Sequence, residues 1–204
     1  MIKNIVFDMG EVLLRFDRKL FINRLGISGE DEELLMREVF LSLEWAMMDR
    51  GSLTDAEAAE LIRKRVPARL HDAVEKLVSL WDRPIIEIPG MYDIIKELHE
   101  AGYKIYLLSN ASLRQHDYWP RVPASVFFDG TMISADEKLV KPQPEIYRAL
   151  CGRFGLKPEE CFFIDDSISN VEGAVWCGLD AMVFHDDASE VRRKLRERGV
   201  QISA

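Results

Sequence analysis

No stretch of this chain approaches the roughly 18 consecutive apolar residues of a membrane-crossing helix, so no segment of that kind is expected. Cysteine is scarce. Cys151, Cys161 and Cys177 are odd in number and lack the paired spacing of a zinc site. They read as reduced, mostly buried thiols, the usage of a cytoplasmic protein. The opening residues MIKNIVFD run straight into a strand, without the charged, apolar and small-residue regions of a secretory signal. Positive charge is in deficit. The 27 Lys and Arg stand against 35 Asp and Glu, and the net charge of −8 argues against nucleic acid or an anionic membrane as a partner. A small anionic substrate is compatible with that balance, because a local cluster of cation, metal and N–H groups overrides a global field. Internal repeats and low-complexity segments are absent, and nothing in the sequence marks an oligomeric state.

What is present suits a soluble globular chain, with 48% hydrophobic and 30% charged residues. A length of 204 residues fits one domain, or a core with a modest insertion. The stretch from Ile5 to Leu14 organises the rest. Ile5, Val6 and Phe7 are continuously apolar, which predicts a strand buried on both faces. It ends in a carboxylate, Asp8, followed two positions later by Gly10. A charge at the exit of a buried strand is costly unless it is paired, metal-bound or set in the crevice at the sheet's edge.

Residues 18–84 change character and read as an inserted helical module. Leu35, Val39 and Leu43 give one helical face; Thr54-Asp55-Ala56-Glu57 is a capping box; Leu70, Val74, Leu77, Val78 and Trp81 follow helical spacing. From Pro89-Gly90 onward the pattern alternates strand and helix. Strands are expected at 105–108, at 161–164 and at 181–184, and Val126-Phe127-Phe128 reads as a third strand or the approach to it. Helices are expected from Met91 to Leu98, after Pro144, from Asn170 to Cys177 and from Ser189 to Arg198. This order predicts an α/β fold, a doubly wound and mostly parallel sheet formed by 1–17 and 85–204. Three of its strands finish in polar groups: Asp8, Ser109-Asn110 and Asp165-Asp166. Parallel strands place such ends on one edge, so these groups should converge.

Converging carboxylates repel unless a cation lies between them. Hard oxygen ligands of this kind suit Mg²⁺, which commonly shares a substrate phosphate. Lys141 and the Ser109 hydroxyl add a cation and a donor for phosphate oxygens. One carboxylate can then act as nucleophile while metal and lysine hold the charge of the transferring phosphoryl group.

Asp8 after a buried strand, Ser109 after a second, Lys141 before Pro142, and the run Phe163-Ile164-Asp165-Asp166-Ser167 resemble, in order, the four motifs of the haloacid dehalogenase-like (HAD) hydrolases. The insertion after the first motif resembles the family's C1-type cap. Phe7-Asp8-Met9-Gly10, Asp49-Arg50-Gly51, and Ser109-Asn110 with Tyr118-Trp119-Pro120 are further similar to the bacterial α-D-glucose-1-phosphate phosphatase branch. The resemblance implies a Mg²⁺-dependent phosphatase of a small phosphorylated metabolite, a sugar phosphate such as a sugar 1-phosphate. It assigns Asp8 as nucleophile and metal ligand, with the Gly10 carbonyl, Asp166 and, directly or through water, Asp165 completing the metal site. Ser109 and the Asn110 amide would hold phosphoryl oxygens, and Lys141 would neutralise Asp8 and phosphate together; Glu11, next to Gly10, is a further candidate substrate contact.

One departure matters. Phosphatases of this family usually carry a second Asp two residues after the nucleophile, as proton donor and then base; here that position is Gly10. A good leaving group would lessen the need, Glu11 beside the site or a cap residue such as Asp49 would substitute, or activity would be feeble. The branch resemblance favours the first. Two other functions remain in view, a 2-haloacid dehalogenase and a weakly catalytic or non-catalytic phosphometabolite-binding protein. Of the remaining candidates, Lys138, His116 and the run Arg192-Arg193-Lys194 read as surface or packing residues, and Asn170 as a helix start. Arg114 reads equally as a substrate contact or a solvated side chain. Trp45 and Trp119 read as packing between cap and core.

Overall fold

Each residue of β1 (Asn4–Phe7) is buried in the computed structural model, which describes residues 1–203. β1 lies at the centre of a sheet completed by β2 (Lys104–Ser109), β3 (Gly130–Ile133), β4 (Cys161–Asp165) and β5 (Asp180–Val183). The strand order is β3-β2-β1-β4-β5, and every neighbouring pair is parallel. Side chains alternate along each strand. Ile5, Phe7, Leu107 and Phe162 therefore pack on one face, against the helices Met91–Glu100 and Ala188–Glu197. Val6, Leu108 and Phe163 pack on the other, against Pro144–Phe154 and Ile168–Trp176. Burial on both faces is the reason these strands are continuously apolar, and the expected doubly wound α/β fold is the one formed.

The order of strands also explains why the polar strand ends meet. β1 is flanked by β2 on one side and β4 on the other, with Phe7 level with both Leu107 and Ile164. Asp8 and Asp165, one residue on, and Ser109, two residues on, leave the same edge of three adjacent strands.

The insertion holds helices Arg18–Asn23, Glu30–Leu35, Leu43–Asp49, Asp55–Arg63 and His71–Ser79. They enclose an apolar cluster of their own, including Phe21, Val39, Ile62, Val74 and Leu77. The Thr54 capping box forms as expected, with Glu57 bonded back to the Thr54 N–H. Where the chain enters and leaves this insertion, Phe16 and Trp81 meet edge to face with ring centres 4.8 Å apart.

One expectation is corrected and one open reading is resolved. Leu43 does not continue the face of Leu35 and Val39; it is 71% exposed. A π-helical turn over Met36–Phe40 ends that helix, and Ser42 caps a new one by accepting a bond from the Trp45 N–H, so the periodicity is reset. Val126-Phe127-Phe128 is the approach to the third strand and not the strand itself. Pro123–Phe127 forms a short 3₁₀ segment, and the third strand is the less apolar Gly130–Ile133.

Candidate active site

Lys141 is the hub. Its side chain is 1% exposed, and its three N–H donors are all used. They go to Asp8 Oδ1 at 2.6 Å, Asp165 Oδ2 at 2.6 Å and the Leu108 carbonyl at 2.9 Å. A residue 133 positions downstream thus ties β1, β2 and β4 together at their carboxyl ends. Burial alone would discharge this lysine, but Asp8 and Asp165 more than offset it and raise its affinity for the proton. Asp8 is pushed up to about 7, chiefly by burial; Lys141 opposes the shift, and Asp165 and Asp166 add to it.

Asp165 is fully buried and doubly held. Its Oδ1 accepts from the Ser167 N–H at 2.8 Å and from Asn170 Nδ2 at 2.9 Å. Asn170 lies in the first turn of its helix, as expected, and additionally orients Asp165, a second role that its position alone did not suggest. Asp166 stands exposed at the cavity rim, raised above the ordinary carboxylate range mainly by desolvation and then by Asp165. One oxygen each of Asp8, Asp165 and Asp166 can lie within 4.8 Å of the others. Against the single Lys141 ammonium these three carboxylates leave two negative charges uncompensated. Such a set fits a hard divalent cation.

Next to these acids lies a polar corner. Ser109 ends β2 and lines the cavity, followed by Asn110, Ala111 and Ser112. The Asn110 side chain is occupied: Oδ1 accepts from the Lys141 N–H at 2.8 Å, and Nδ2 donates to the Lys141 carbonyl at 3.0 Å. It locks the lysine's backbone, which leaves the Asn110 N–H as the group able to meet a ligand. Glu11 also lines the cavity, but its carboxylate shapes the turn after Gly10, accepting from the Phe16 N–H at 2.6 Å and from Arg15 at 3.3 Å. That engagement weighs against the expected substrate contact.

The cavity holds about 250 Å³. Its floor is Asp8, Gly10, Ser109, Lys141 and Asp166; its roof comes from Phe16, just ahead of the insertion, and from Arg18, Trp45, Met48, Asp49 and Trp81 within it. Trp45 thus lines the crevice as well as packing on Phe16 and Phe40, whereas Trp119 packs on Phe128 outside it. The roof is pinned to the core. The Ser134 hydroxyl donates to the Asp49 carbonyl, and the Lys138 ammonium donates to the Gly51 carbonyl. Lys138 is exposed as expected, yet it works as a clasp. Gly51 itself has φ of +68° and no room for a Cβ, which would run into the Ala135 carbonyl.

Arg114 matches neither expectation. It is directed away from the cavity into a buried ion cluster, bonded to Asp82, which Arg121 also binds, with Asp55 3.6 Å from its Nε. His116 is exposed beside Asp136 at 3.1 Å. Sequence reasoning missed Phe16, Arg18, Met48 and Tyr118 as cavity residues. Arg18 carried the best signal, being a cation just beyond the turn that follows Asp8.

Comparison with known proteins supports the geometry. Residues 2–178 match the haloacid dehalogenase-like hydrolase family. A glyceraldehyde 3-phosphate phosphatase of Methanopyrus kandleri is 25% identical over 195 residues, 88% of this chain and 82% of that protein. The (S)-2-haloacid dehalogenase 4A of Burkholderia cepacia is 25% identical over 188 residues, 87% of this chain and 80% of that one. Other relatives are longer: the chain spans 47% of one and 36% of another. A solved family enzyme from Bacteroides thetaiotaomicron, in complex with magnesium and inorganic phosphate, superposes with a TM-score of 0.69 at 26% identity, over 94% of this chain and 99% of that one. The buried Asp8–Lys141–Asp165 junction at the edge of this sheet and the match over 2–178 lead to one assignment: the chain belongs to the haloacid dehalogenase-like hydrolases.

Proposed function

We propose that this protein is a Mg²⁺-dependent phosphatase acting on a small phosphorylated metabolite through an aspartyl-phosphate on Asp8, with residues 18–84 serving as the cap. The observation that carries this reading is the charge count at the junction: three converging carboxylates and one lysine, short of neutrality by one divalent cation. Carbon–halogen cleavage by the same aspartate has no use for a cation held between carboxylates.

When bound by Asp8, Asp166, the Gly10 carbonyl and Asp165, Mg²⁺ supplies charge neutralisation that draws the anionic phosphoryl group towards a carboxylate. The chain's own residues do the rest. Lys141 fixes the rotation of the Asp8 carboxylate through Oδ1 and favours its ionised form against the burial that opposes it. Ser109 and the Asn110 N–H receive the phosphoryl oxygens. An Asp8 oxygen forms a bond to phosphorus as the ester oxygen departs; water then attacks the same phosphorus and regenerates the carboxylate. The roof residues exclude bulk water during the first step, and their aromatic surfaces with Arg18 select a compact, hydroxylated partner such as a sugar phosphate.

The test is a panel of phosphomonoesters, with sugar 1-phosphates, sugar 6-phosphates and acyl phosphates included. Phosphate release with Mg²⁺ is expected, falling by about 10²-fold or more on chelation with EDTA and returning on readdition. Turnover indifferent to EDTA would refute the metal site. Halide release from 2-chloropropionate without Mg²⁺ would point to the dehalogenase reading, and tight binding with no phosphate release over hours to the binding-protein reading.

A further inference from the structure

Departure of an alkoxide from phosphorus needs a proton, and Gly10 supplies none. Crowding does not dictate that glycine: a Cβ there would have Phe16 Cβ as nearest neighbour at 3.9 Å, an ordinary contact. The other cavity groups are spoken for. Lys141 has every N–H committed, Glu11 is tied to Phe16 and Arg15, and Asp166 belongs to the carboxylate cluster. Tyr118 is held well above its usual range by burial and keeps its proton, and a guanidinium such as Arg18 does not give one up.

Asp49 remains. It is the last residue of helix Leu43–Asp49, lines the cavity from the roof, and has its backbone clasped to the core through Ser134 and, two residues on, through Lys138. We propose that the Asp49 carboxyl is the catalytic proton donor to the leaving oxygen, and then the base that takes a proton from the hydrolytic water. The proposal rests on the phosphatase reading above.

Burial lifts this carboxyl to about 8; Asp55 and Asp8 add to the shift, while Arg18 and Lys141 oppose it. At neutral pH it therefore carries a proton, as a general acid requires. In the first step an Asp8 oxygen bonds to phosphorus, the bond from phosphorus to the ester oxygen breaks with its electron pair on that oxygen, and the Asp49 proton moves there. The alcohol leaves, and Asp49 is a carboxylate. In the second step Asp49 removes a proton from water as the water oxygen bonds to phosphorus. The bond from phosphorus to Asp8 breaks, giving phosphate and both side chains in their starting states.

A donor of this kind makes the rate insensitive to the leaving group. The experiment compares para-nitrophenyl phosphate, whose leaving group needs no proton, with phosphates of simple primary alcohols, all with Mg²⁺. Wild-type protein should cleave both classes with a shallow dependence of kcat on leaving-group basicity. Asp49→Asn should lower kcat on the alkyl phosphates by about 10²–10⁴-fold with little change in KM. The pre-steady-state burst of para-nitrophenol, which reads transfer to Asp8 alone, should keep its rate within about threefold and so report an intact fold and nucleophile, while the steady state that follows slows because the base of the second step is lost. Equal losses in the transfer step on both classes, or no loss on either, would overturn the proposal. So would a steep leaving-group dependence in the wild type, which does not depend on the variant folding. If the wild type cleaves neither ester, the phosphatase reading itself has failed; if it cleaves para-nitrophenyl phosphate through Asp8 alone, only the role of Asp49 has.

Discussion

Asp8→Asn should reduce phosphate release by about 10⁴–10⁶-fold, the range expected when a covalent nucleophile is removed. The amide keeps the shape of the carboxylate but cannot form the acyl phosphate. It also removes one of the three charges that gather the cation, and an Asn NH₂ turned towards Lys141 would set donor against donor where Oδ1 now accepts at 2.6 Å. Folding should survive, because Lys141 keeps Asp165 as a partner at 2.6 Å. Steady-state assays with saturating Mg²⁺, alongside circular dichroism, read both effects. Turnover within tenfold of wild type in a folded variant would remove Asp8 from the chemistry.

Lys141→Ala should cost both stability and activity. The ammonium is sealed between two carboxylates, and its removal leaves those charges facing one another in a buried site. Breaking a buried pair from one side costs about 3–5 kcal/mol. For a chain of this size that is a fall in Tm of roughly 6–20 °C. Added Mg²⁺ should recover more Tm in the variant than in the wild type, because the ion then supplies the only positive charge at the junction. Turnover should fall by at least about 10²–10³-fold even with Mg²⁺, as expected when a preorganised cation at the reacting group is lost. Differential scanning calorimetry with and without Mg²⁺ measures the first effect. An unchanged Tm would mean that the lysine is dispensable to the fold, contrary to its place at the meeting of three strands.

The site's floor was legible because it depends on strand ends. A buried strand announces itself by a continuous apolar run, and a carboxylate or hydroxyl just after the run marks the edge where it emerges. Asp8, Ser109 and Asp165 could therefore be brought together from sequence once a parallel sheet was inferred. The adjacency of β2, β1 and β4 then follows in the structure. The roof was not legible in the same way. Asp49, Arg18 and Trp45 reach the cavity through the docking of the insertion, which turns on single contacts such as Lys138 to Gly51 that leave no periodic trace. Arg114 is a similar case: its partner Asp82 lies 32 positions away in an irregular segment, and nothing local separates a buried guanidinium from a solvated one. The third strand, left open between the run at 126–128 and the residues it leads to, has a plainer cause. Val126-Phe127-Phe128 is more apolar than Gly130-Thr131-Met132-Ile133, but Pro123 starts a 3₁₀ turn there and the pairing partner of Tyr106 is Gly130.

Acid-quenched protein taken during turnover of a phosphomonoester with Mg²⁺ and digested for mass spectrometry interrogates the Asp8 carboxylate itself. A phosphoryl group on the peptide containing Asp8, absent when EDTA precedes substrate and absent from Asp8→Asn, is the predicted result. Steady phosphate release with that peptide never modified, or with the phosphoryl group on another residue, would contradict the account.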